Sequence, residues 1–158
     1  MRTLPLSKGK VTKVDEEDYE YFSQWKWSIT KDGYACRSTS IKLGKRKQLK
    51  LHREILKAPK NKLVDHINGD KLDNRKSNLR LCTFGQNVMN SKKPKNGVSS
   101  KYKGVCYNYK TGKKFRAFIK QNGVQDYLGT FETEVEAAKA YNREALKRFG
   151  QFARLNKL

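Results

Sequence analysis

The stretch LVDHINGDKLDNRKSNLRLCTFGQNVMN, Leu63 to Asn90, constrains the fold more than any other part of the chain. Apolar residues run into an adjacent acid and imidazole, Asp65-His66. A loop of turn formers follows, INGDKLDNRKSN, then a short apolar strand, LRLCT, and then a helix start. Thr83 and Gln86 have the spacing of a capping box, and Asn87 and Asn90, three apart, share one face of the helix it would open. Strand, loop, strand and helix in this order bring Asp65, His66 and Asn87 within reach of one another. A carboxylate and an amide oxygen are hard ligands suited to Mg²⁺, and a neutral imidazole beside them can take a proton from water. Taken singly, an Asp-His pair is more often a surface hydrogen bond, and LDNRKSN could be turn residues bonding their own backbone. The joint spacing favours a site.

Charge points to the partner. Lys and Arg number 36 against 15 acidic residues, a net charge of +21 and a pI near 10.0. Such an excess is the footprint of a polyanion, nucleic acid or an anionic membrane. No run approaches the roughly 18 apolar residues of a membrane span, and the N-terminus lacks a signal peptide's apolar core. Nucleic acid is therefore the expected partner, with no membrane. Cys36, Cys82 and Cys106 are widely spaced with no CxxC pair, which argues against structural zinc or a disulfide framework and for a reducing cytoplasm.

Residues 1–40 carry seven basic and six acidic residues and read as a small β-rich module. Strand-like alternation leads into an acidic helical turn at Asp15–Glu20, and Asp32-Gly33 marks a hairpin turn. Trp25 and Trp27 fall on alternate strand positions, one face, where core packing outweighs a stacking platform for bases. Residues 41–60 carry eight basic residues and one acid. The run could be a solvated hairpin tip, but it stands directly before the Asp65-His66 stretch, so Lys45, Arg46, Lys47, Lys50 and Arg53 are expected to contact phosphates. LHREILK reads as a short helix ended by Pro59, and His52 on it as a packing or phosphate-contact residue rather than a ligand. SKKPKNGVSS, residues 91–100, has the composition of a linker. Beyond it come three short strands, with turns at Lys110–Lys113 and Gln121–Gly123. Alternation puts Lys114, Arg116, Phe118 and Lys120 on one face and Phe115, Ala117 and Ile119 on the other. A helix from Glu132 to about Phe149 follows, with a capping box at Thr133 and Glu136, a glycine cap at Gly150, and a face on which Ala137, Tyr141, Ala145 and Phe149 recur every four residues with the small Ala138 and Ala140 beside them.

The Leu63–Asn90 stretch resembles the HNH family of homing-type nucleases. The residues that carry the resemblance are Asp65-His66, Asn78 twelve residues after the histidine and Asn87 twenty-one after it, with the flanking words HINGD, LDN, NLR and QN. The resemblance implies a ββα-metal core, His66 as general base, Asn78 bracing the loop, and Asp65 with Asn87 holding one divalent cation, Mg²⁺ or Mn²⁺. The third signature position is Asn87 rather than His. The C-terminal segment resembles the plant ethylene-response-factor (apetala-type) DNA-binding domain, through Tyr102–Val105 (YKGV), Leu128–Phe131 (LGTF), Ala137–Tyr141 (AAKAY) and the closing Ala153, Leu155 and Asn156. By that resemblance Lys103, Cys106, Asn108, Lys114, Arg116, Phe118, Lys120 and Tyr127 would face DNA. Cys106 and Asn108 stand where that family's first strand is rich in arginine, so its target preference does not carry over.

These readings combine into an α+β chain. A β-rich module (1–48) precedes an HNH core (49–91), a linker (92–100) and a three-stranded antiparallel sheet on one helix (101–157). The expected function is a metal-dependent DNA endonuclease of phage or intron type, cytoplasmic in a bacterial host, a monomer or weak dimer that nicks one strand per site and needs no small-molecule cofactor. The competing reading is a non-catalytic DNA-binding regulator on a nuclease scaffold; an RNA-binding protein is a third.

Overall fold

The computed structural model describes residues 1–40, 46–93, 99–109 and 114–158. The chain divides into two compact units, Met1–Phe84 and Gly85–Leu158. Both combine small antiparallel sheets with few helices, an α+β architecture.

The first unit opens with the hairpin β1 (Arg2–Pro5) and β2 (Val11–Val14), whose alternation buries Leu4, Thr12 and Val14. Helix α1 (Glu16–Ser23) has three acids in its first turn, where the helix dipole favours them. Strands β3 (Ser28–Ile29), β4 (Ala35–Ser40) and β5 (Arg46–Lys50) pair antiparallel in that order, with Gly33 at φ 85° in the turn expected at Asp32-Gly33. The two tryptophans differ from expectation in their setting: they precede β3 instead of lying along a strand. Both still serve the core, and the Trp27 indole N–H donates to the Phe22 carbonyl at 2.8 Å. Helix α2 (Leu51–Ile55) follows β5 directly, and β6 (Leu63–His66) pairs antiparallel with β7 (Leu79–Cys82). Leu4, Val14, Phe22 and Trp27 share one cluster with Leu51, Ile55 and Leu79. The N-terminal hairpins and the Asp65-His66 segment therefore fold around a single core, and residue 48 lies inside β5.

Helix α3 (Phe84–Met89) starts at the last residue of the first unit and otherwise belongs to the second. There β8 (Val105–Asn108), β9 (Lys114–Gln121) and β10 (Val124–Phe131) form a meander, with Asn122 and Gly123 both at positive φ in the β9–β10 turn. Helix α4 (Glu134–Phe149) opens with the expected capping box: the Glu136 N–H donates to Thr133 Oγ1 at 3.2 Å, and the Thr133 N–H to the Glu136 carboxylate at 3.1 Å. Ala117 and Ile119 of β9 are buried together with Ala137, Ala138, Tyr141 and Ala145 of α4. Small helix residues let the backbone approach the sheet closely. Gly104 is the tightest point: at φ 74°, a Cβ there would lie 2.1 Å from the Tyr141 ring and 2.5 Å from the Phe118 carbonyl oxygen. Asn156 closes the unit, exchanging hydrogen bonds with the Lys103 backbone (2.6 and 3.0 Å) and with Asn142 (2.7 and 3.0 Å). Lys45, the Lys110–Lys113 turn and the middle of the 91–100 linker lie outside the described residues.

Candidate active site

Strand β6 delivers Asp65 and His66 side by side, both buried. The antiparallel register sets Arg80 of β7 directly opposite Asp65, and its Nε and Nη2 both donate to Asp65 Oδ2, at 2.9 and 2.6 Å. A cross-strand ion pair with both side chains mostly buried fixes the carboxylate's position.

The loop between the two strands is held by its own polar side chains. Asn78 Oδ1 accepts from the Asn68 N–H at 3.0 Å and its Nδ2 donates to the Asp73 carbonyl at 2.8 Å, while the Ile67 N–H donates to the Asn78 carbonyl. Asp73 receives Arg75 through two bonds of 2.7 Å and Asn68 Nδ2 at 3.0 Å. The Arg75 hydrogen bonds hold its carboxyl below the usual range. Loop and hairpin are also laced together: the Lys13 N–H donates to the Leu72 carbonyl, and the Asn74 N–H to that of Lys13. Lys76 reaches α1, its backbone N–H donating to Asp15 (2.7 Å) and its ammonium pairing with Glu17 (2.5 Å) and Asp18 (3.0 Å).

The His66 Nε2 lies 3.1 Å from Asn74 Oδ1. Burial pushes the His66 imidazole below its ordinary value, against the opposing pull of the Asn74 hydrogen bond and the charges of Asp65, Asp70 and Asp73. His66 is therefore neutral near pH 7. His52 stands edge-on to it, ring centroids 5.2 Å apart, with Tyr34 at 5.0 Å from the His52 ring. Burial, then His66, Lys50 and Arg53, bring His52 down to about 3, and its Nδ1 has no hydrogen-bond partner among the described residues. This histidine is packing, placed against the ring that matters. Two ammoniums face Tyr34, Lys50 at 4.8 Å and Lys71 at 4.5 Å from its ring centroid. Asn74, Arg80, Tyr34 and Lys71 escape a reading of the sequence. DNR and NLR could have flagged the first two, but nothing local marks the others.

The family described as HNH endonuclease matches residues 57–89, which hold β6, the loop, β7 and α3. Over 161 aligned residues the chain is 36% identical to an uncharacterised HNH endonuclease of Acanthamoeba polyphaga mimivirus, spanning 98% of this chain and 79% of that protein. The chain belongs to the HNH endonuclease family. A second uncharacterised HNH endonuclease of the same virus is 41% identical over 78 residues, 45% of this chain and 20% of that protein. An AP2-like ethylene-responsive transcription factor of Arabidopsis thaliana is 39% identical over 71 residues, 45% of this chain and 14% of the plant protein. No solved structure matches the chain.

For an HNH endonuclease the implied cofactor is a divalent cation. No group of three His, Cys, Asp or Glu side chains that could hold one occurs among the described residues. The Asp65 carboxylate is a hard oxygen donor of the kind that suits Mg²⁺, which takes few protein oxygens and keeps water and phosphate in its remaining positions. Asn87 lies half-buried on α3.

The cations expected to meet DNA divide into two groups. Arg46 and Lys47 are exposed on β5 and Lys50 ends that strand; Arg116 and Lys120 lie on the sheet face away from α4, and Lys114 beside them pairs with Glu132 at 2.7 Å. Arg53 is instead committed inward, donating to the carbonyls of Lys62 (2.8 Å), Ala58 (3.2 Å) and Pro59 (2.9 Å), so it pins the loop before β6. Lys103 is likewise turned in: its ammonium donates to the carbonyls of Met89 (2.6 Å) and Ser91 (2.8 Å) at the end of α3, and burial brings it down to about 8. Neither position could have been told from an open cation by residue type.

Proposed function

We propose that this HNH family member is a homing-type, metal-dependent endonuclease that hydrolyses a phosphodiester bond in duplex DNA and nicks one strand per active site. The observation that carries the reading is His66: a buried, neutral imidazole beside a fixed carboxylate, in the segment the family matches. A neutral imidazole takes a proton from water as that water attacks phosphorus in line with the leaving 3′ oxygen. Asn78 holds the loop that orients it, and Arg80 holds Asp65. A divalent cation on Asp65 and Asn87, Mg²⁺ or Mn²⁺, would stabilise charge on the phosphate and the leaving oxygen. Arg46, Lys47 and Lys50 in the first unit and Arg116 and Lys120 in the second supply phosphate contacts.

Supercoiled plasmid incubated with the protein and Mg²⁺ should relax to nicked circles, and EDTA should stop it. Replacing His66 by alanine should cost on the order of 10²–10⁴ in rate with DNA binding nearly unchanged. Binding without any metal-dependent nicking would establish instead a non-catalytic DNA-binding regulator.

A further inference from the structure

Beside the His66 ring stands an aromatic residue that the proposed chemistry does not use. The Tyr34 ring centroid lies 6.0 Å from that of His66 and 5.0 Å from that of His52. Two ammoniums rest on the Tyr34 ring, that of Lys50 at the end of β5 and that of Lys71 in the loop between β6 and β7, 4.8 and 4.5 Å from its centroid. All three residues belong to the first unit. Lys71 is held in this place. Its ammonium donates to the Asp32 carbonyl at 2.8 Å, and its Cδ lies 3.8 Å from where a Cβ on Gly33 would stand. The backbone beside it is fixed too: the Leu72 N–H donates to Asp70 Oδ1 at 3.0 Å, and the Leu72 carbonyl accepts from the Lys13 N–H and from Thr12 Oγ1, each at 2.8 Å.

One ring thus gathers two positive charges. Its quadrupole attracts each ammonium, but the like charges repel one another, and among the described residues neither has a carboxylate partner. An ammonium carries three N–H donors. Among the described residues Lys71 uses one, on Asp32, and Lys50 uses none, while the Tyr34 hydroxyl also bonds no group. An anion bound here would relieve the repulsion and take the open donors. In a chain of net charge +21 that belongs to the HNH endonuclease family, the chemistry points to a nucleic-acid phosphodiester.

We propose that Lys50 and Lys71, set on Tyr34, form a site for one backbone phosphate of the strand that is cut, and so position that strand beside His66. The proposal rests on the reading of this unit as a nuclease centre. It adds Lys71 and Tyr34 to the phosphate contacts and has the two lysines share one phosphate instead of meeting two. A phosphate carries no base identity, so the site fixes the place of the strand and leaves sequence to other contacts. The ring and the Asp32 carbonyl hold the ammoniums before DNA arrives, which leaves little side-chain ordering for the binding step.

Lys50→Met and Lys71→Met each remove the charge and keep an apolar stem for the Tyr34 ring. The full-length protein, both single variants and the double variant are titrated in EDTA with a DNA duplex of fixed length at a series of salt concentrations. Each phosphate neutralised contributes about 0.9 to the slope of log K against log salt. A shared phosphate requires either single variant to lose only part of that amount and the double variant to lose about 0.9 in all. At saturating DNA with Mg²⁺, the double variant should nick plasmid on the order of tenfold more slowly, because a bound strand is no longer held in place. An unaltered slope in the double variant overturns the site. Single losses of about 0.9 that add in the double variant mean two separate phosphates and overturn the shared one. A reduced slope with an unaltered nicking rate at saturation overturns the positioning role. A protein that cuts no DNA would remove the nuclease reading, while the salt slopes would still decide whether the two lysines hold a phosphate.

Discussion

Among the described residues the first unit buries Thr12, His52, Asp65, His66, Asp73, Asn74 and Asn78, whereas the second packs Ala117, Ala137 and Ala138 with Tyr102 and Val105, and Ala145 with Ile119 and Tyr141, with Asn90, Ser100 and Asn108 as its buried polar residues. The first unit is made of two- to six-residue strands stitched by side chains, the second of one four-residue and two eight-residue strands under a sixteen-residue helix. A polar interior stabilises a fold less surely than an apolar one, because each buried donor or acceptor must find its partner. It does hold an imidazole, a carboxylate and their supports in fixed positions. The second unit can be regular because the charged side chains of its middle strand, Arg116 and Lys120, lie on the sheet face away from α4. The contrast teaches that irregularity here marks where the proposed chemistry sits.

The contrast can be broken most severely at Gly104. Alanine there meets both an unfavourable φ and the Tyr141 ring, so Gly104→Ala should cost about 2–5 kcal/mol. Hydrogen exchange should show the loss in residues 99–158 while β6 and β7 keep their protection. Loss of protection throughout would mean that the two units unfold together.

The counterpart in the polar unit is Asn78. Replacing it by alanine strands the Asn68 N–H and the Asp73 carbonyl, a cost of about 2–4 kcal/mol. Denaturant melts should register that cost and nicking assays a loss of rate in the same variant. Full stability with lost cleavage would move Asn78 from loop brace to direct participant.

Acid separates the units next. His52 titrates at about 3 in the folded protein and near 6.5 unfolded, so the unfolded chain binds more protons between those values. Stability should be complete above pH 6.5 and fall as pH drops toward 3, by up to ~1.4 kcal/mol per pH unit, with His66 adding in the same direction. Melting curves at pH 7, 5 and 4 should show a shallower decline in His52→Gln. An identical decline would place the acid sensitivity elsewhere.

The smallest effect tests the open face of the second unit. Arg116→Gln and Lys120→Gln should each remove about 0.9 from the slope of log K against log salt for duplex DNA, with Lys114→Gln doing less because Glu132 already pairs with it. Stability should not move. Slopes that stay at the wild-type value would leave this sheet without a phosphate-contacting role.

Periodicity and local chemistry were enough for much of the molecule. The α4 helix, its capping box, the alternation of β9, the Asp32-Gly33 turn and the pairing of strands around Asp65-His66 all follow from signals within a few residues of one another. The family followed from four polar residues at fixed spacing. What the sequence could not determine depends on contacts between segments far apart in the chain. Trp25 and Trp27 left the strand pattern because a single core drew in residues from Leu4 to Leu79. Arg53 and Lys103 look like phosphate contacts by composition, yet each has backbone carbonyls within reach, at Ala58–Lys62 and at the end of α3. The Asn74 amide bonds Thr12, a residue that no pattern around DNR names. Short-range rules set each element's type, while a side chain's partner is decided only when folding brings distant donors and acceptors into the same buried space.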